Sequence, residues 1–247
     1  MEGSTHLNTV KICRMPKNRY HHGELRGALL DAAEALVRER GVEGWSLREA
    51  SLRVGVSPSA AYHHFGSREG LVHALSGRVL AQLGERLSLA VNDASSEGRQ
   101  RLIAYARGYV SWALDDPAVA RLAFGAGEPE IPLSTHPHDV LATELDRLVD
   151  AGGLGASARP GAEFLLWAAI HGLATLLVEG LVRHDDHEAI DLQTERLVRT
   201  VLSGLAQEPP AAPAWPQARS AHTERLARQA VPPERRETIA GDRSDRA

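Results

Sequence analysis

A chain of 247 residues with 43% apolar content has room for one or two domains with a real core, and a net charge of −4 gives no reason by itself to expect a polyanionic partner. The one cysteine, Cys13, excludes an intrachain disulfide and suits a reducing, cytoplasmic setting, and the first residues lack the apolar run of a secretion signal. The charge is uneven, +3 over residues 1–80 and −7 over the rest, which confines polyanion binding to the N-terminal part.

Residues 1–19 show no periodicity and carry Lys11, Arg14, Lys17 and Arg19 against Glu2, so they read as a disordered basic arm, with Met15 a second candidate start. Leu25, Ala28, Leu29, Ala32 and Leu36 predict a first helix over 24–40, stopped by Gly41. "SLRE" from Ser46 is a capping box that opens a second helix, which Gly55 ends after two turns. Ser57 then caps a third short helix with Pro58 in its first turn, where the missing N–H costs nothing.

After Ser67 a long helix carries Leu71, Leu75, Val79, Leu83 and Leu87 down one side. Further helices are predicted at 97–115, 117–124, 138–151, 161–183 and 189–206, with "GAGEPEIPLSTHP" as a loop. The uncharged stretch from Phe164 to Val178 is 15 residues long. A membrane span needs roughly 18 to 20, so this reads as a helix buried in protein. Residues 208–247 are Pro-rich and charged, a disordered tail. No segment alternates like a strand, so the chain is all-α with about nine helices.

Residues 46–65 have the mechanics of a helix-turn-helix: one helix braces across the sugar-phosphate backbone and the next lies in the major groove. Ser51 is small where the helices approach, Gly55 can take the turn conformation, and Val54 and Val56 plug the corner. On the third helix Ala61 and Phe65 are expected to face the core. Pro58, Ser59, Ala60, Tyr62 and His63 then face outward.

The run "GALLDAAEALVRERGVEGWSLREASLRVGVSPSAAYHHFGSREGLVHAL" resembles the DNA-binding domain of the TetR family of transcriptional regulators almost throughout, most tellingly in "GVSPSAAYHHFGSREGL". Ala50 and Ser51 depart from the larger aliphatic residue and the alanine usual there. A second stretch, "FLLWAAIHGLATLLVEG", looks like the Trp-x-x-x-His-Gly signature of one subgroup, whose first-helix start "RYHHGELRGALL" also resembles. The resemblance implies a helix-turn-helix domain at 20–66 and a helical effector-binding and dimerisation domain at 67–207. It implies a homodimer through the last two helices, presenting two recognition helices about 34 Å apart to a palindromic double-stranded operator.

The candidate DNA-binding residues are Ser46, Arg48, Ser57, Pro58, Ser59, Ala60, Tyr62, His63, His64 and Arg68. Ser46, Arg48 and Arg68 sit at helix N-termini, which favour phosphate. Tyr62 and His64 match phosphate-contacting positions of the family, and His63 one that reaches a base or phosphate. Tyr20, His21 and His22, a second Tyr-His-His, sit where the first helix begins and can cap, pack or touch a nearby phosphate. Tyr105, Tyr109, Trp112, Phe124, Trp167 and His171 lie on the helices that enclose the effector cavity in this family, and few aromatics favour a small apolar or amphipathic effector.

The remaining histidines, His136, His138, His184 and His187 with Asp185 and Asp186, read as solvated loop groups, so neither a metal nor a cofactor is expected. No nucleophile elbow, phosphate loop or Glu-x-x-His pair marks an enzyme. The sequence therefore reads as a repressor released from its operator by an unknown small molecule. A regulator of the same fold without an effector is the main alternative, and a helical metal-binding protein or enzyme a distant one.

Overall fold

The computed structural model describes residues 22–94, 98–125, 136–183 and 186–207. The expected basic arm, the Pro-rich tail, Tyr20, His21, most of the loop after Gly125, and His184 and Asp185 lie outside them. Among the described residues there are nine α-helices, one short 3-10 turn and no strand, the all-α architecture read from the sequence. The chain divides into two compact units, Met1–Leu71 and Val72–Ala247, a boundary inside the fourth helix and a little beyond the residue 66 read from the motif.

The first unit holds α1 (His22–Arg40), α2 (Leu47–Val54), α3 (Pro58–Phe65) and the first turn of α4 (Arg68–Asp93). Leu29, Ala33, Leu36 and Val37 put one side of α1 into the core with Trp45, Leu47, Ala50 and Ala61. This is the stripe that the 3.6-residue period dictates. Arg40 pairs with Glu49 at 2.6 Å, and Arg53 donates to both carboxylate oxygens of Glu39 at 2.8 and 2.7 Å, stapling α1 to α2. These pairs are solvent-exposed, so they fix register more than they add stability.

The second unit is built around α5 (Gly98–Asp115), which packs against α6 (Pro117–Gly125), α7 (Pro137–Asp150), α8 (Ala162–Val178) and α9 (His187–Leu205). Leu102, Ile103, Ala106, Tyr109, Val110 and Ala113 bury most of its circumference, as a central helix requires. Glu144 of α7 is only 1% exposed, yet it receives Arg101 of α5 through both oxygens at 2.6 and 2.9 Å, with Arg147 as a second donor. A carboxylate so deeply placed is tolerable only with that full set of partners.

The helix expected over 161–183 stops at Val178, because Gly180 takes φ +67° and turns the chain back. The last helix starts at His187, where the Asp186 carboxylate accepts from the backbone N–H of Glu188 at 2.9 Å. No helix among the described residues is long and apolar enough to cross a membrane.

Candidate nucleic-acid interface

The helix-turn-helix is closed at each joint by a local device. Ser46 Oγ accepts from the backbone N–H of Glu49 at 3.2 Å, and Glu49 Oε2 receives the backbone N–H of Ser46 at 2.9 Å, which completes the capping box. Arg40 beside Glu49, and then Ser46, hold its carboxyl below the usual range. At the other end Gly55 takes φ +80° and Val56 N–H reaches back to the Ser51 carbonyl at 3.0 Å. The Ser51 hydroxyl is fully buried and donates to the Leu47 carbonyl at 2.7 Å, so this departure from alanine is satisfied within its own helix.

Ser57 caps α3 by accepting from Ala60 N–H at 3.3 Å, Pro58 occupies its first turn, and Gly66 at φ +70° ends it. Ala61 alone is fully buried on this helix, so the opposite side is left for recognition. Ser59, Tyr62 and His63 are exposed, Tyr62 by 52%, while Pro58, Ala60 and His64 are half-buried. Phe65 differs from its expected core position: it is half-buried, with the Arg26 guanidinium 5.2 Å from its ring centroid.

The three helix-start residues diverge. Arg48 is exposed and makes no ion pair among the described residues. The Ser46 hydroxyl is engaged as cap and also donates to Glu49 Oε2 at 3.0 Å. The Arg68 guanidinium is turned inward: Nε donates to the Trp45 carbonyl at 3.0 Å, Nη2 donates to the Val42 carbonyl, and its carbon lies 4.9 Å from the Trp45 ring centroid. Sequence spacing could not reveal this, because the acceptors are backbone carbonyls of a loop more than twenty residues earlier.

In the second unit the six candidate effector residues form one connected ring cluster. Phe124 meets His171 edge-on at 4.3 Å, Trp167 lies 5.4 Å from His171, and Tyr109 stacks with Phe124 at 6.2 Å. Trp112 stands edge-on to Tyr109 and Phe124, each at 6.0 Å. Tyr109 Oη is 3.1 Å from His171 Nδ1, a hydrogen bond whose direction is set by the imidazole tautomer. Burial lowers the pKa of His171 and raises that of Tyr109, which keeps both uncharged.

Tyr105 stacks on Tyr109 at 6.4 Å, is fully buried, and donates to the Pro137 carbonyl at 3.0 Å. The sequence reading missed Thr175, one turn beyond His171, whose buried Oγ1 lacks a partner among the described residues. Two surface cavities, of about 310 Å3 between α5 and α9 and about 170 Å3 between α8 and α9, are lined by none of the six. His136 is the N-cap of α7, its Nδ1 accepting from His138 N–H at 3.2 Å. No group of three ligating side chains that could hold a metal occurs among the described residues.

Comparison with known proteins places both units. Residues 29–75 match the family described as "Bacterial regulatory proteins, tetR family", and residues 102–201 match "Tetracyclin repressor-like, C-terminal domain". The chain is 26% identical over 120 residues to the HTH-type transcriptional regulator Mb1846 of Mycobacterium bovis, a match covering 48% of this chain and 51% of that one. It thus spans about half the length of that curated relative. A solved protein of unknown function from Rhodococcus sp. RHA1 is 30% identical with a TM-score of 0.65, over 77% of this chain and 100% of that one. A TetR-family regulator from Pectobacterium atrosepticum shares the fold at 22% identity and a TM-score of 0.59, over 76% and 96%. With a helix-turn-helix matched at one end and a repressor-type helical domain at the other, the chain belongs to the TetR family: it is a helix-turn-helix transcriptional regulator and not an enzyme.

Proposed function

We propose that the chain is a repressor that binds a palindromic DNA operator as a homodimer and releases it when a small molecule occupies the second unit. The observation that carries the DNA-reading part is the outer face of α3, where Ser59, Tyr62 and His63 stand exposed on a helix capped at both ends. Tyr62 and His64 serve phosphates, His63 a base edge or phosphate, and Pro58, Ser59 and Ala60 give apolar contact with thymine methyls. Ser57 and Ser46 hold the two helix starts, and Arg48 supplies a cation beside the second of these. Titrating the purified protein with duplex DNA from immediately upstream of its own reading frame tests this. Affinity that falls steeply with salt is expected, and no salt-dependent binding sinks the reading.

A second protomer has a surface to meet. Leu165 and Leu176 of α8 are 45% and 41% exposed, with Ala168, Ala169 and Gly172 between them, and a Cβ on Gly172 would touch nothing within 4 Å. Leu192 of α9 adds a third exposed apolar group. Apolar and small residues at this spacing suit a facing helix of a second copy, the bundle through the last two helices.

The effector site is the ring cluster of Tyr109, Trp112, Phe124, Trp167 and His171, with Tyr105 behind it. Its polar groups include a phenol and an imidazole, which suits an uncharged, largely apolar ligand with one or two hydrogen-bonding atoms. In the run Trp167, His171, Gly172, two members join the rings and the glycine meets no neighbour at its Cβ position, the arrangement we assign to the Trp-x-x-x-His-Gly subgroup.

The close Phe124–His171 contact favours a second reading, a regulator without an effector, because the rings already fill one another's space. Thermal melts against a metabolite panel separate the two, since a ligand that binds the folded state raises the midpoint.

A further inference from the structure

We propose that Arg68 is a positioning residue that sets the start of the brace helix α2, and that it makes no phosphate contact of its own. This rests on the DNA-binding role proposed above. The segment between Gly41 and Ser46 joins α1 to α2 and delivers the Ser46 cap. It has little structure of its own: its backbone bonds among those described are at its two ends, Gly41 N–H to the Val37 carbonyl at 2.8 Å and Ala50 N–H to the Ser46 carbonyl at 3.1 Å. The Val42 and Trp45 carbonyls would otherwise be left to water, and Arg68 donates to both, through Nη2 and through Nε at 3.0 Å.

The planar guanidinium supplies these two donors at fixed separation while its face lies over the Trp45 ring, 4.9 Å from the centroid. Glu43 adds charge at 3.5 Å. Arg68 itself is held just as firmly: it opens α4, where Ser67 Oγ accepts from Gly70 N–H at 3.1 Å. A Cβ on Gly70 would collide with the Phe65 carbonyl oxygen, so the corner from α3 into α4 tolerates no side chain there. One side chain thus ties the end of the recognition helix's corner to the start of the brace helix.

Swinging Arg68 outward to a phosphate would leave two carbonyls unmet and uncover Trp45, whose buried indole N–H has no partner among the described residues. With its side chain 21% exposed, the guanidinium is occupied inside the unit. Arg48, exposed and without an ion pair among the described residues, is the contrasting case, a cation placed to meet phosphate.

The two roles differ in salt dependence. A lost phosphate contact lowers the slope of log affinity against log salt by about 0.9 per contact, whereas a lost positioning contact weakens binding and leaves the slope alone. Arg68→Ala, Arg68→Lys and, as a phosphate control, Arg48→Ala are titrated with the upstream duplex over a range of salt. Both Arg68 variants are expected to lose at least about tenfold in affinity at the wild-type slope, because lysine keeps the charge but not the paired, stacked geometry. Arg48→Ala is expected to lower the slope.

Wild-type affinity in either Arg68 variant, or a slope reduced by about 0.9 per contact, overturns the proposal. Arg68→Lys carries the test if Arg68→Ala does not fold. A DNA-free readout stands beside it: the Trp45 indole N–H resonance, assigned with Trp45→Phe, is expected to move in both Arg68 variants, and an unmoved resonance also overturns the proposal. Should the wild-type protein bind no duplex, the proposed function fails, and the Trp45 resonance alone decides whether the tie exists.

Discussion

Tyr62 and His171 both carry a polar ring, and the fold puts one on an exposed face and the other among packed rings. The Tyr62 phenol is exposed and its ring carries little of the packing. Tyr62→Phe is therefore expected to leave the melting temperature unchanged while weakening operator binding about five- to tenfold, the worth of one hydrogen bond, measured by fluorescence anisotropy. His171 is enclosed by rings and its pKa is lowered by burial, so between its folded and unfolded values the unfolded chain binds the extra proton. The stability it lends is fully present above the unfolded value near 6.5 and is lost as pH falls through the folded one. Melting curves at pH 7.5 and 5.5 are expected to show a larger acid loss in the wild type than in His171→Gln, which can still hydrogen-bond to Tyr109. Equal losses would count against the assignment.

At the scale of elements, the helices were legible because their ends are written locally. Ser46 and Ser57 cap, while Gly41 and Gly55 take positive φ, so start and stop signals coincide with the apolar stripes. Ser46→Ala is expected to cost about 1 kcal/mol in the denaturant midpoint of the first unit, since it removes the hydroxyl half of the capping box. The helix predicted at 161–183 ran too long because apolar content continued through Leu181 and Val182, which the structure leaves exposed beyond the turn at Gly180. The settings of Arg68 and Phe65 were not legible for another reason. Their partners, two loop carbonyls and the Arg26 guanidinium, come from segments whose approach is a tertiary fact that periodicity does not encode. The ring cluster was legible as a set of residues, but the 4.3 Å contact of Phe124 with His171 was not.

For the whole molecule, an exposed apolar stripe on α8 makes stability depend on concentration if two copies share it. Gly172→Glu places a charge where the described chain has open space, so the protomer should still fold. It is expected to shift the protein to monomer in sedimentation and to abolish the rise of melting temperature with concentration. A dimer that survives the change would place the interface elsewhere. The same variant is expected to bind a single half-site far more weakly than the wild type binds a full palindrome, because linked sites gain from effective concentration.

The construction of α3 has a consequence on a longer timescale. Its position is fixed by Ser57, Gly66 and the buried Ala61, while Ser59, Tyr62 and His63 bear little of the packing. Exposed positions of this kind accept substitution within about 0.5 kcal/mol. Under the proposed function, a duplicated copy of this gene can therefore acquire a new target sequence by changing a few outward residues, one at a time, without passing through an unfolded intermediate.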